Sequence, residues 1–248
     1  MLVKSKVKYI QSLSDKKQRD AEGVFVAEGP KVVEELLLSP TTPLVELFPT
    51  AEWMGKNAGM LTGTVQQATH EVAPSELQRI SSLSTPHQVV GIFKKPVWKR
   101  QNSPLKDWVV MLDGIQDPGN MGTIIRCADW FGIPLIITGE GAADPYGPKT
   151  VQSSMGSVAR VQVWQTNLEA YLHEWKMASI YAAVLEGQPV EKLGKKANGI
   201  LLIGNESKGI SPPLLRSASI QKITIPRKGQ AESLNAAVAT GILLSHLI

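Results

Sequence analysis

Residues 108–131 read WVVMLDGIQDPGNMGTIIRCADWF. The first five are an apolar run of strand length, the Pro118-Gly119 pair marks a turn, and beyond it apolar side chains return at helical spacing. Strand, turn and helix predict the opening of a βαβ unit. Apolar runs at 135–138, 179–184, 200–203 and 222–225 supply further strands, with helices expected near 168–176 and from Ser233 onward. That alternation predicts an α/β fold with a mainly parallel sheet covered by helices on both faces.

Upstream of this unit the pattern is finer. Helix-like stretches at 16–21 and 31–38 alternate with strand-like stretches at 24–27 and 44–48, the reading of a small α/β domain. Between the apolar runs 89–93 and 108–112, the chain carries two prolines and several cations, as linkers do. The expected organisation is therefore a domain at 1–94, a linker at 95–107 and a second domain at 108–248. No internal repeat interrupts it.

Composition bounds the function class. Of 248 residues 43% are apolar, enough for a sizeable core, and Cys127 is the only cysteine, which excludes an internal disulfide framework. No apolar stretch approaches membrane-span length and no secretory h-region opens the sequence, so a cytoplasmic, membrane-free protein is expected. The net charge of +4 is modest, but Lys4, Lys6, Lys8, Lys16, Lys17 and Arg19 crowd the first twenty residues and Lys94, Lys95, Lys99 and Arg100 crowd a later stretch. Such clusters suit a phosphate-bearing partner and equally suit a solvated face.

Ligands of open α/β sheets bind beyond the carboxyl ends of strands. The loop after residue 112 has a Gly-x4-Gly spacing but lacks the Lys and Ser/Thr of a phosphate-binding P-loop, and it lacks Gly-x-Gly-x-x-Gly. A nucleoside-like ligand must be held another way. In the helix that follows, at about 100° per residue, Ile124, Ala128 and Phe131 share a face with Cys127 at its margin, and Arg126 points away from it. Arg126 is free to meet an anion or to pair with Asp129, Asn120 can serve as the helix N-cap, and Cys127 reads as an inert thiol.

Residues 200–213, ILLIGNESKGISPP, set Gly204 directly after a strand and Glu206 where no local partner is evident, with Ser211 and Pro212 starting a helix. Residues 225–238, IPRKGQAESLNAAV, are a strand end, a loop and a helix whose natural cap is Ser233. Leu234, Val238 and Ile242 then recur at core spacing, and Asn235 is left as a poor helix former without explanation. The four histidines (His70, His87, His173, His246) are scattered and none has a Cys or His at ligand spacing, so no metal is expected.

Taken in order and spacing, 112–129, 202–209 and 225–235 resemble the three signature motifs of the SpoU (TrmH) family of RNA 2'-O-ribose methyltransferases, a branch of the SPOUT superfamily. The first domain resembles the family's substrate-binding domain, which is related to a ribosomal-protein RNA-binding fold, through Lys8-Tyr-Ile-Gln-Ser-Leu13, Phe25-Val-Ala-Glu-Gly29 and Thr85-Pro86. Arg227 stands where the family often has an apolar residue, and Ala236 where it usually has Val. The resemblance implies a deep trefoil knot in the C-terminal domain, a homodimer with active sites at its interface, and S-adenosylmethionine as cofactor. It places Gly204, Ile225 and Leu234 at the cofactor and Asn120, Arg126, Glu206, Ser233 and Asn235 at the reaction. The implied substrate is RNA, ribosomal RNA before transfer RNA. A non-catalytic RNA-binding protein on the same scaffold is the competing reading, and a nucleotide-binding protein unrelated to RNA is disfavoured by the missing phosphate loop. Arg126 is implied to take the hydroxyl proton or, more easily for a guanidinium, to position an RNA phosphate.

Overall fold

The computed structural model describes residues 1–98, 106–216 and 220–248. Lys99, Arg100 and most of the expected linker lie outside them. In chain order the elements are α1 (Lys4–Ser12), α2 (Lys16–Glu22), β1 (Val24–Glu28), α3 (Pro30–Leu37), β2 (Leu44–Pro49), α4 (Ala51–Lys56), α5 (Gly63–Gln67), α6 (Pro74–Ile80) and β3 (Val89–Lys94). There follow β4 (Trp108–Asp113), α7 (Pro118–Trp130), β5 (Leu135–Thr138), α8 (Pro148–Ser154), β6 (Gln162–Gln165), α9 (Leu168–Glu174), β7 (Ile180–Pro189), β8 (Gly199–Gly204), α10 (Pro212–Leu215), β9 (Ile220–Thr224) and α11 (Ala236–Leu247).

These residues form two compact units, one of residues 1–97 with 144–159, the other of residues 98–143 with 160–248. In the first, β3 runs antiparallel between β1 and β2. Val7 and Ile10 of α1 join Val24, Val26, Phe48, Leu77 and Ile92 in its core. The chain returns to this unit late: α8 packs against β1, and the Tyr146 ring lies 5.4 Å from that of Phe25.

Arg19 belongs to this unit's interior rather than to a phosphate-facing surface. Its side chain is 3% exposed; Nη1 donates to the Leu13 and Ser14 carbonyls, and Nη2 pairs with Asp144 at 2.5 Å. Other cations of the same cluster are also neutralised within the unit, Lys6 by Glu46 and both Lys16 and Lys95 by Asp20. Lys4, Lys8 and Lys17 remain exposed. Arg19→Ala would strand the Asp144 carboxylate, 14% exposed, and is expected to cost roughly 3–5 kcal/mol in urea unfolding. Replacing both partners by apolar residues of similar volume should recover most of that loss, and a double variant as unstable as the single one would show that the pair is not the cause.

In the second unit the six strands run in the order β6-β5-β4-β8-β7-β9, every neighbouring pair parallel. β4 and β8 are central, and their nearly unbroken burial explains why they read as continuous apolar runs. Strand order reverses beside β4: β5 and β6 extend to one side, whereas β8, β7 and β9 extend to the other. The loops leaving β4 and β8 therefore emerge side by side at the switch point, where ligands of such sheets bind. Asp113 and Gly204 are cross-strand partners at this carboxyl end.

Candidate active site

α7 starts earlier than its apolar spacing indicates. Asp117, not Asn120, is the N-cap: its carboxylate accepts from the Asn120 N–H at 2.8 Å, and Pro118 fills the first helical position. The Asn120 side chain is thereby released from capping. α11 shows the converse shift, because Asn235 rather than Ser233 is its cap, with Oδ1 accepting from the Ala237 and Val238 N–H groups at 2.9 and 3.3 Å. The asparagine that made a poor helix interior is outside the helix, and Ser233 is exposed.

These two shifts build the site. With Oδ1 of Asn235 committed to two backbone donors, its Nδ2 donates to Asn120 Oδ1 at 2.7 Å, and Asn120 Nδ2 in turn donates to Glu206 Oε1 at 2.7 Å. The direction of donation is set at the helix end and ends on a carboxylate, which accepts only. Three segments that are distant in sequence are thus joined by side-chain hydrogen bonds.

The loop carrying Glu206 is held from within. The side-chain carbonyl of Asn205 accepts from Ser207 and Lys208 N–H, both at 3.0 Å, and its amide donates to the Gly114 carbonyl at 2.7 Å. Asp113 accepts from Ser211 N–H at 2.6 Å and closes the loop's far end. Asn205 and Asp113 were not singled out from the sequence, where they read as ordinary turn residues. The fold itself requires Gly204: a Cβ there would come within 2.3 Å of the Gly209–Ile210 backbone. Gly209, at φ +68°, completes the turn.

Arg126 is exposed on α7 as its spacing indicates. Asp129, its alternative partner, pairs instead with Arg160 at 2.9 Å. Six residues along a helix place Arg126 about 9 Å from Asn120 along the axis and about 120° around it. Among the described residues no hydrogen bond joins Arg126 to the Asn235-Asn120-Glu206 chain. The structure thus brings together three of the five expected reaction residues, with Arg126 and Ser233 standing exposed nearby in sequence but unlinked. Cys127 is half-buried, and burial pushes its thiol up more than the Arg126 charge pulls it down, as expected of an inert thiol.

Several apolar side chains of this unit lie uncovered. Leu234 is 48% and Leu185 73% exposed, Ile225 is half-buried, and Thr224 Oγ1 donates to the Leu185 carbonyl at 3.0 Å. Val238 and Trp130 are exposed as well, so the 234/238 spacing expected for core is half-uncovered. Among the described residues no group of three or more His, Cys, Asp or Glu could hold a metal ion.

The chain is similar to known proteins along nearly its whole length. The profile of the MRM3-like substrate binding domain matches residues 4–91. The chain is 32% identical over 245 residues to the 23S rRNA (guanosine(2553)-2'-O)-methyltransferase RlmP of Bacillus subtilis, covering 98% of this chain and 95% of RlmP. A TrmH-family protein from Porphyromonas gingivalis superposes with a TM-score of 0.82 at 37% identity, covering 99% and 98% of the two chains. An AdoMet-bound rRNA methyltransferase from Sinorhizobium meliloti does so with a TM-score of 0.80 at 33% identity, covering 99% and 95%. The profile of the SpoU rRNA Methylase family spans residues 107–245, all three joined loops included, and the chain belongs to that family.

Proposed function

We propose that the protein transfers the methyl group of S-adenosylmethionine to a ribose 2'-hydroxyl of ribosomal RNA. The observation that carries this reading is the hydrogen-bonded chain from Asn235 through Asn120 to Glu206, which assembles three family motifs at the crevice of a parallel sheet. RlmP, a 2'-O-methyltransferase by name, and the AdoMet-bound relative supply the reaction class and cofactor.

The residues present fit that cofactor. Exposed Leu185 and Leu234 and half-buried Ile225 offer apolar surface that suits an adenosine moiety, and Gly204 keeps its own loop tightly turned. When bound, S-adenosylmethionine supplies a sulfonium-activated methyl group for in-line displacement. The chain's own residues then have to orient the acceptor hydroxyl. Glu206, held through Oε1, keeps Oε2 for a hydrogen bond from substrate, and Ser233 lies two residues before Asn235. Arg126 orients an RNA phosphate through the planar fork of its guanidinium.

Residues 1–94 form the RNA grip in this reading, with 95–107 as linker and 108–248 as the methyltransferase domain, of which 144–159 pack into the first unit. The trefoil knot belongs to the latter in this reading, supported by the hydrogen bond that brings Asn235 to Asn120 at the start of α7. A homodimer would cover Trp130, Leu234 and Val238 and carry Arg126 to a site between subunits. No helix among the described residues is long and apolar enough to cross a membrane. A cytoplasmic location belongs to this reading through its ribosomal RNA substrate.

Purified protein given methyl-labelled S-adenosylmethionine and ribosomal subunits from cells lacking this gene should place label in large-subunit RNA, recovered as an alkali-resistant dinucleotide. Label only in transfer RNA would move the substrate assignment. Cofactor binding with no transfer to any RNA would favour a binding protein on the same scaffold.

A further inference from the structure

The first unit contains a cavity of about 680 Å3 that the reaction does not use, lined among others by Thr50, Glu71, Val72, Leu77, Thr85 and Pro86. We propose that it receives one unstacked guanine base of the RNA substrate, an inference that rests on the RNA reading above.

Its lining contains no cation and includes two carboxylates, Glu52 and Glu71, so a phosphate would be repelled. Glu52 is already engaged by Lys56 at 2.7 Å and by Gln88 at 2.8 Å. Glu71 is exposed and makes no hydrogen bond or ion pair among the described residues. Guanine is the base that presents two adjacent N–H donors, N1–H and the 2-amino group, to a single carboxylate, and unpaired bases are read on this edge. The apolar remainder, Val72, Leu77 and Pro86, suits the face of a ring.

Two independent features mark the cavity as built for a ligand. Thr50 lines it and is 6% exposed, yet its hydroxyl has no hydrogen-bond partner among the described residues, a state that buried hydroxyls seldom keep. The wall at 81–88 is also clamped at both ends. At one, the buried Glu28 carboxylate accepts from the Ser81 hydroxyl and from Ser82 N–H at 2.9 Å. At the other, Gln88 adopts φ +55°, rare for a residue with a side chain, inside a three-residue turn closed by Val89 N–H to the His87 carbonyl at 2.5 Å. Thr85 and Pro86 are thereby held against the cavity.

The test uses the full chain and labelled hexauridylates with a single central guanosine or inosine, which lacks the 2-amino group. The guanosine oligomer should bind about tenfold more tightly, and E71Q should abolish that preference, since a carboxamide has one acceptor oxygen. T50V should weaken binding of the guanosine oligomer without lowering the melting temperature, because it removes a hydroxyl that stabilises nothing in the free protein. Equal affinity for the two oligomers, or a preference that survives E71Q, would overturn the proposal. So would Glu71-dependent binding of a lysine tripeptide alongside indifference to the base, which would mark a protein partner. Wild-type protein that binds S-adenosylmethionine but ignores the base loses this proposal and keeps the methyltransferase reading.

Discussion

Replacing Arg126 by alanine is expected to lower the rate of methyl transfer roughly a hundred- to a thousandfold while costing only about 0.5 kcal/mol of stability. The separation follows from its position. Its side chain is exposed, the neighbouring carboxylate of Asp129 is taken by Arg160, and the buried face of α7 is formed by Met121, Ile124, Ile125 and Ala128. A group with so little structural work can be removed cheaply, so a large kinetic loss would come from the reaction. Cofactor affinity should stay near wild type, because the interaction lost is made with RNA phosphate. Arg126→Lys keeps the charge but loses the planar fork, and should be severely impaired as well. Near-normal single-turnover rates for the alanine variant at saturating RNA would return Arg126 to the status of a surface cation.

The second large effect is expected at Asn120, where charge and donor direction can be separated from shape. Asn120→Asp preserves volume and can still accept from Asn235, but it sets a second carboxylate against Glu206 where the wild-type contact is 2.7 Å. Two carboxylates at that distance share one proton, so the pair retains a proton to higher pH than an isolated carboxylate would. Above that raised value both are ionised, the chain is broken, and turnover should fall on the order of a hundredfold. As pH drops through it, the shared proton restores a donor and activity should partly recover. A profile that parallels wild type across acid and neutral pH, displaced by a constant factor, would exclude this explanation. Asn120→Ala, which removes the donor without adding charge, should lose activity with no such acid recovery.

Much of this was legible in the sequence, for physical reasons that also mark where legibility stopped. Strands buried on both faces, such as β4 and β8, read as continuous apolar runs, so the parallel sheet could be expected. Arg126 could be placed on an exposed face because helical periodicity is a local property. Caps were less legible: Asp117, Asn120, Ser233 and Asn235 are all competent cap residues, and only the hydrogen bonds decide which of them caps. That choice matters, since displacing Asn120 from the cap is what frees its side chain for Glu206. Partnerships across 86 and 115 residues, from Asn120 to Glu206 and to Asn235, depend on strand order, which no local pattern carries. For the same reason a lysine-rich segment looked like one basic surface, although Lys6, Lys16 and Arg19 are each matched to an acid inside their own unit.

The pairing of Arg19 with Asp144, 125 residues apart, bears on how the protein is made. Translation delivers about 5–20 residues per second, so on the order of ten seconds pass between the emergence of the guanidinium and that of its carboxylate. During that interval the amino-terminal unit has a cation to bury and nothing to neutralise it, and β1 lacks α8. The unit that leaves the ribosome first is thus held incomplete until the chain has finished β5 and returned. A nascent fragment ending in the linker would remain soft and visible to chaperones and proteases, whereas the full-length product would lock. Pulse-labelled chains arrested before and after residue 160 should show this as an abrupt gain in protease resistance of the amino-terminal fragment.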